Sequence, residues 1–420
     1  MRLSKRFRSI AAVKQLGPGL VTGAADDDPS GIATYSQAGA QFGNGLLWTM
    51  LLTYPLMVAV QLISAHIGRV TGHGLAKNMG TVLPRWLVGV LVSLLFIANS
   101  FNIGADIAAM GDAAELVTGF SAHIATVLFA VISLALQLFV PYQNYSRFLK
   151  WLTLVLFAYV AVLFTVKLDW SAIALGLLWP KVPNMDAATL IVALFGTTIS
   201  PYLFFWQSAQ EVEEVNSAPD THALVDAPWQ ARRAFRRIRF DTVAGMAISN
   251  LIALAIITAT AATLNAAGQT DITTAAQAAK ALQPVAGQFA FLLFSLGIIG
   301  TGLLAVPVLA GSAAYAVGES RGWTVGLDNK PWEAVGFYSV IGLATVIGIL
   351  IDWSPIDPIK ALFWSAVING VVAVPIIVGM MIVVSSSVSM GKFTASRRMK
   401  IAGWSAAAVM FAAALAMMTL

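Results

Sequence analysis

Three consecutive carboxylates, Asp26, Asp27 and Asp28, are followed directly by Pro29-Ser30-Gly31 and flanked on both sides by apolar sequence. At mid-membrane an isolated charge costs about 2.5–3.5 kcal/mol even on lenient insertion scales, so these residues need water or a cation. Successive residues of a helix point about 100° apart, so at most two of the three face one ion unless the helix unwinds. Proline removes a backbone donor and clashes with the preceding turn, and the Pro-Ser-Gly sequence therefore predicts an unwound point. Asp28, beside it, is the first candidate metal ligand. Asp27 and Asp26 either join it, cap the second half-helix or line a water-filled vestibule. A second segment, Gly196-Thr197-Thr198-Ile199-Ser200-Pro201-Tyr202, has the same character. Unwinding at Pro201 frees the Thr197 carbonyl and brings the Ser200 hydroxyl toward the same point; alternatively, both only satisfy backbone carbonyls around a proline kink. All these groups are hard oxygen donors, which suit Mg2+, Ca2+ or Mn2+ better than later transition metals.

Further polar groups interrupt the apolar sequence. Asn99, Asn102 and Asp106 share one helical face and form either an aqueous route or a helix contact, whereas Asp112 and Glu115 fall toward the helix end and read as solvated. Asn369, four residues after Ser365, either completes an ion's shell or joins two helices. Glu211, Glu213 and Glu214 precede a run of five arginines and either gather cations or pair with that run. The four histidines are far apart, none lies at a break, and no His-Glu-x-x-His pattern exists to support a membrane-embedded metalloenzyme. No cysteine is present, which excludes disulfides, thiolate ligands and cysteine nucleophiles. The 14 methionines are scattered through apolar stretches and none falls at either break.

These groups need elements to position them. The chain is 58% hydrophobic and 11% charged, against roughly 25% charged in a soluble domain, so it is predicted to be all-α and polytopic in a membrane. Eleven spans are predicted, at about 17 to 41, 45 to 68, 88 to 118, 122 to 141, 150 to 168, 187 to 212, 242 to 265, 283 to 317, 333 to 351, 359 to 386 and 401 to 419. With the N-terminus cytoplasmic and the C-terminus outside, every Lys and Arg except Lys167, Lys181, Lys280 and Lys360 falls on the cytoplasmic side, as the positive-inside rule requires. The net charge of +5 thus sets orientation and implies no nucleic-acid partner. The N-terminus is basic but lacks a signal peptide's apolar core and cleavage site, so it is expected to be retained. The first and sixth spans carry the breaks. Five spans apart, they run in opposite directions, the pattern of two inverted five-helix repeats with a binding site at the midplane. The expected organisation is one transporter domain over 1–420, with repeat one at about 17–168, repeat two at about 187–386 and an added helix at about 401–419, in a bacterial-type inner (plasma) membrane.

The chain resembles the natural-resistance-associated macrophage protein (Nramp) family of divalent metal transporters, through Gly17-Pro18-Gly19-Leu20 leading into Asp28-Pro29-Ser30-Gly31-Ile32-Ala33-Thr34 and through Gly196 to Tyr202. The resemblance implies the leucine-transporter-like fold. It places the metal-binding aspartate at Asp28, one carbonyl donor at Ala25 and another at Thr197. Where the family has an asparagine ligand this chain has Gly31, and where it has a methionine ligand the chain has Ser200. Its two sixth-helix histidines are Tyr202 and Gln207 here; its third-helix aspartate is kept as Asp106, and the glutamate three residues on is Ala109. Loss of thioether and amide implies a roomier, harder site, and the chain looks like the Nramp-related magnesium transporter branch. The expectation is uptake of a divalent cation by alternating access, Mg2+ first and Mn2+ second, without proton coupling and without a cofactor. The rivals are a proton-coupled Mn2+/Fe2+ symporter and a coupled symporter of an organic solute. Against the latter, three aspartates beside the site repel an anionic solute.

Overall fold

The computed structural model describes residues 18–140, 153–182, 184–217, 220–353 and 355–419. Gly17, the basic residues Arg2, Lys5, Arg6, Arg8, Lys14, Arg147 and Lys150, and the start of the fifth span lie outside the described residues. In chain order the main helices are α1 (Pro18–Asp26), α2 (Pro29–Phe42), α3 (Trp48–Thr71), α4 (Leu75–Val82), α5 (Arg85–Thr118), α6 (Ala122–Phe139), α7 (Phe157–Val162), α8 (Trp170–Leu178), α9 (Met185–Thr198), α10 (Pro201–Ser217), α11 (Ala231–Thr260), α12 (Ala290–Arg321), α13 (Val335–Asp352), α14 (Pro358–Ser385) and α15 (Arg397–Thr419). Among the described residues nine helical stretches are long and apolar enough to cross a membrane, α9 and α10 counting as one. The broken first span, α1 with α2, and the fifth span, ending in α7, complete the expected eleven.

Both breaks lie where the proline chemistry puts them. Pro29 and Pro201 each open a new half-helix, the position where a missing N–H costs nothing. The packing repeats with an offset of five spans. The broken first span lies against α11, the seventh span, and α10 of the broken sixth lies against α3, the second. The two longest unbroken helices, α5 and α12, are the third and eighth spans and cross each other. The helices α9 and α14 meet closely: a Cβ on Gly196 would overlap the Ala366 carbonyl and the Gly370 backbone, so they touch through bare backbone, as small residues permit inside membranes.

The spans differ from expectation at their ends. The arginine run 232–239, expected as a connection before a span at 242, is the first two turns of α11. Nothing in Ala231–Arg239 breaks a helix, and Ala and Arg favour one. The short helices α4 and α8 are among those that the predicted spans do not include. The N-terminus of α4 is held by Glu319 of α12, which accepts from the Ala76 and Lys77 amides at 3.1 and 3.3 Å. At the start of α8, Asp169 accepts from the Ser171 hydroxyl and the Ser171 and Ala172 amides; these bonds, with that from the Ser171 side chain first, hold its carboxyl below the usual range.

At the far end of the sixth span, the acidic tract pairs with the arginine run. Arg237 bridges Glu211, at 2.6 Å, and Glu214, and Glu211 is fully buried. Tyr315 of α12 donates to Glu213, which also accepts from the Leu327 amide at 2.8 Å. Arg69, 3% exposed, reaches the His222 carbonyl and Gln230. His66 stacks on Phe235 and contacts the Phe393 carbonyl, a packing role.

Candidate functional site

The site is built around Asp28, the residue between the two halves of the first span. Its backbone is extended, with φ −72° and ψ 171°, and its Oδ1 accepts the Gly31 amide at 2.7 Å, capping α2. Its Oδ2 accepts from Asn102 Nδ2 at 3.1 Å and from the Tyr202 hydroxyl at 3.3 Å. That hydroxyl also faces the Ala25 carbonyl at 3.0 Å, so one proton serves two acceptors. Three spans meet here: the break of the first, α5 of the third, and the first turn of α10. Asp28 is 2% exposed and Asn102 and Tyr202 are fully buried.

The other two aspartates turn elsewhere. Asp26 and Asp27 accept from Ser249 of α11 at 2.5 and 3.1 Å, and the second oxygen of Asp26 has no partner. Among the described residues no three His, Asp or Glu side chains converge on one point. The consecutive aspartates therefore form two groups: one carboxylate facing the sixth and third spans, and two facing the seventh. Asp106 of α5 lies close enough to Asp28 and the Ser30 backbone for both to act on it electrostatically, and neither of its oxygens has a side-chain partner. No ion pair identified among the described residues reaches Asp26, Asp27, Asp28 or Asp106.

At the sixth span, the Ser200 hydroxyl folds back onto its own helix, donating to the Gly196 and Thr197 carbonyls at 2.8 and 2.9 Å. The Thr197 carbonyl is thus engaged, while the Thr197 hydroxyl points toward the first span: a Cβ on Gly31 would stand 2.9 Å from it and 3.3 Å from the Tyr35 ring. The threonine fills the space an asparagine at 31 would need. Gly31→Asn is expected to cost about 1–3 kcal/mol by overpacking and to lower uptake, and Thr197→Ala added to it should recover most of the loss. Thermal unfolding and liposome uptake of the single and double variants check this.

Gln207 accepts from Thr22 at 2.5 Å and ties α10 to α1. Asn369 is buried on α14, its Oδ1 without a partner, and α14 packs against both α2 and α9; Ser365 bonds the Leu362 carbonyl of its own helix. The polar face of α5 divides. Asn99 is a helix contact, donating to the Leu309 carbonyl and Ser312 of α12, whereas Asn102 and Asp106 face the break. Sequence reasoning missed Ser249, which bonds Asp26 and Asp27, and Thr22, which bonds Gln207. Ser249-Asn250, a polar pair within an apolar span, was the available signal.

Two discontinuous helices meeting at a buried, oxygen-lined carboxylate inside a helical membrane protein define the class: a membrane protein built like the broken-helix carriers. The fold matches that of the Eremococcus coleocola manganese transporter, solved with an aromatic bis-isothiourea substituted compound, with a TM-score of 0.72 and 18% identity over 96% of this chain and 85% of that one. It also matches Mhp1, a nucleobase-cation-symport-1 family transporter solved in a closed conformation with bromovinylhydantoin bound, with a TM-score of 0.58 and 14% identity over 96% and 92%. This is the leucine-transporter-like fold that the resemblance implied. A family model, natural resistance-associated macrophage protein-like, matches residues 19–420. Among curated relatives, the divalent metal cation transporter MntH of Chromohalobacter salexigens is 30% identical over 74% of this chain and 69% of its own length. That of Klebsiella pneumoniae is 26% identical over 93% and 90%. The chain belongs to the Nramp family.

Proposed function

We propose that the protein carries a divalent metal cation across the membrane by alternating access, Mg2+ ahead of Mn2+, without coupled proton movement; it is a carrier and not an enzyme. Its whole length forms one transporter domain in an inner (plasma) membrane, N-terminus cytoplasmic and C-terminus outside. One observation carries the reading: four buried carboxylates lie at or beside the first break, and among the described residues no ion pair joins any of them to a basic residue. Negative charge buried this way calls for a cation. The surrounding donors are oxygens of Asp28, the Ala25 and Thr197 carbonyls, Ser200 and Asn369, with Asp27 behind them and Gly31, which contributes no side chain, packed under the Thr197 hydroxyl. Neither thioether nor imidazole is among them, and that favours a hard ion keeping several waters. Asp106, Tyr202 and Gln207 line the way to and from the site. A membrane potential of 100 mV favours entry of each positive charge by about 2.3 kcal/mol, so a divalent ion accumulates without a proton partner.

The test is uptake by purified protein in liposomes at fixed membrane potential, Mg2+ against Mn2+, with internal pH recorded. Mg2+ entry without acidification supports the reading. Mn2+ entry with proton movement and no Mg2+ transport makes the protein a coupled transition-metal symporter instead. The relatives named for manganese or divalent metal transport make cation carriage the common ground of both outcomes. Ser200→Met is expected to shift the ratio of Mn2+ to Mg2+ uptake toward Mn2+ by about tenfold, because it replaces a hydroxyl with a soft thioether. An unchanged ratio in the same liposome assay would place position 200 outside the ion's shell.

A further inference from the structure

We propose that Asn102 is a cargo-binding residue: its amide nitrogen holds the Asp28 carboxylate, and its Oδ1 accepts a hydrogen bond from a water molecule in the first shell of a hydrated divalent cation. This inference rests on the carriage of a divalent cation set out above. Asn102 Nδ2 lies 3.1 Å from Asp28 Oδ2. A carboxylate only accepts, so the amide must present its nitrogen there, and the orientation of the group is fixed. Its oxygen is therefore the other branch of the amide, turned away from that bond, fully buried and without a donor. Buried amide oxygens left unpaired are costly, and folded proteins rarely keep one without a ligand or an ordered water.

Two further acceptors accompany it. One turn along the same helix, both oxygens of Asp106 are buried without a side-chain donor, and Asp106 is within electrostatic reach of Asp28. On this face of α5 the amide nitrogens of Asn99 and Asn102 are spent, on α12 and on Asp28, and the unpaired side-chain atoms of these two residues and of Asp106 are acceptors. Water bound to a cation directs its lone pairs at the metal and its hydrogens outward, so a hydrated ion presents donors alone. The two surfaces are complementary, and a Mg2+ ion, which dehydrates reluctantly, brings such a shell. Asn99, one turn earlier, also has an unpaired Oδ1, but its amide is spent on α12 and not on Asp28. The conjunction of the Asp28 bond with the free oxygen singles out Asn102.

Asn102→Leu keeps the size of the side chain and removes both donor and acceptor, and Asn99→Leu is the matched control. In liposomes, Asn102→Leu is expected to raise KM for Mg2+ about tenfold, while Asn99→Leu lowers the unfolding temperature and leaves KM within about twofold of wild type. Hexaamminecobalt(III), an inert complex presenting only donors, should compete with Mg2+ in the wild type and about tenfold more weakly in Asn102→Leu. If Asn102→Leu does not fold, Asn102→Ala gives the same readings. A KM for Mg2+ no more altered by replacing Asn102 than by replacing Asn99, or a wild type insensitive to hexaamminecobalt(III), overturns the inference. A wild type that carries no divalent cation at all defeats the proposed function first, and the two failures are thereby distinct.

Discussion

Asp28→Asn is expected to lower divalent cation uptake by about a hundredfold or more while leaving the protein folded. Asp28 does two jobs that this substitution separates. As the cap of α2 it accepts the Gly31 amide, and asparagine caps a helix as well as aspartate, so the second half of the first span still starts in place. As the charged group facing α5 and α10 it takes donors from Asn102 and Tyr202, and there an amide fails. It carries no charge for the cation, and its NH2 meets donors where the carboxylate met acceptor demand. Asp28→Ala abolishes transport too, but it also loses the cap, worth about 1 kcal/mol, and is the less informative variant. Uptake in liposomes and the thermal midpoint of the purified protein are the two measurements. Transport by the asparagine variant at half the wild-type rate would remove Asp28 from the site.

The second large effect lies away from the cargo. Arg237→Ala should destabilise the protein by about 3 kcal/mol, the low end of breaking a buried pair. Its guanidinium neutralises Glu211, whose side chain is completely buried, while Arg237 itself keeps 23% of its surface exposed. Removing the arginine strands a carboxylate that cannot reach water. Glu214, the other partner, is 42% exposed, and its loss should be nearly silent, as for most surface pairs. The diagnostic variant is the double substitution Arg237→Ala with Glu211→Gln, in which position 211 no longer buries a charge and most of the stability returns. Thermal unfolding of the three variants decides it, and a double variant no more stable than Arg237→Ala would mean that the arginine acts through packing.

The breaks in the first and sixth spans were legible because their cause is local: Pro29 and Pro201 act on their own neighbours, whatever packs around them. The grouping of the aspartates was not legible. Their sequence adjacency suggested a cluster, but the turn between α1 and α2 sends Asp28 to Asn102 and Tyr202 and its two predecessors to Ser249. The partners come from helices distant in sequence. Likewise Asn99 and Asn102 differ by three positions on one face and look alike in sequence, but only the neighbours, α12 for one and the first break for the other, give them different roles. The start of α11 was misplaced for a different reason. Arginines mark a membrane edge, and a helix continues through such an edge whenever nothing stops it, as it does from Ala231.

The two broken spans bear on charge selectivity in a further way. Each break sets the end of one half-helix against the beginning of the next, Asp26 before Pro29 and Thr198 before Pro201. A helix terminus carries a partial charge of roughly half an electron, negative at the carbonyl end and positive at the amide end. With one end of each kind at each crossing, the backbone contributions largely cancel, and the frame itself favours neither anions nor cations. The sign of the cargo is then decided by side chains alone. Under the proposed cation carriage that decision falls to Asp28, with Asp106 beside it and Asp26 and Asp27 behind, and a scaffold of the same shape with neutral residues at those positions is expected to carry a different kind of passenger.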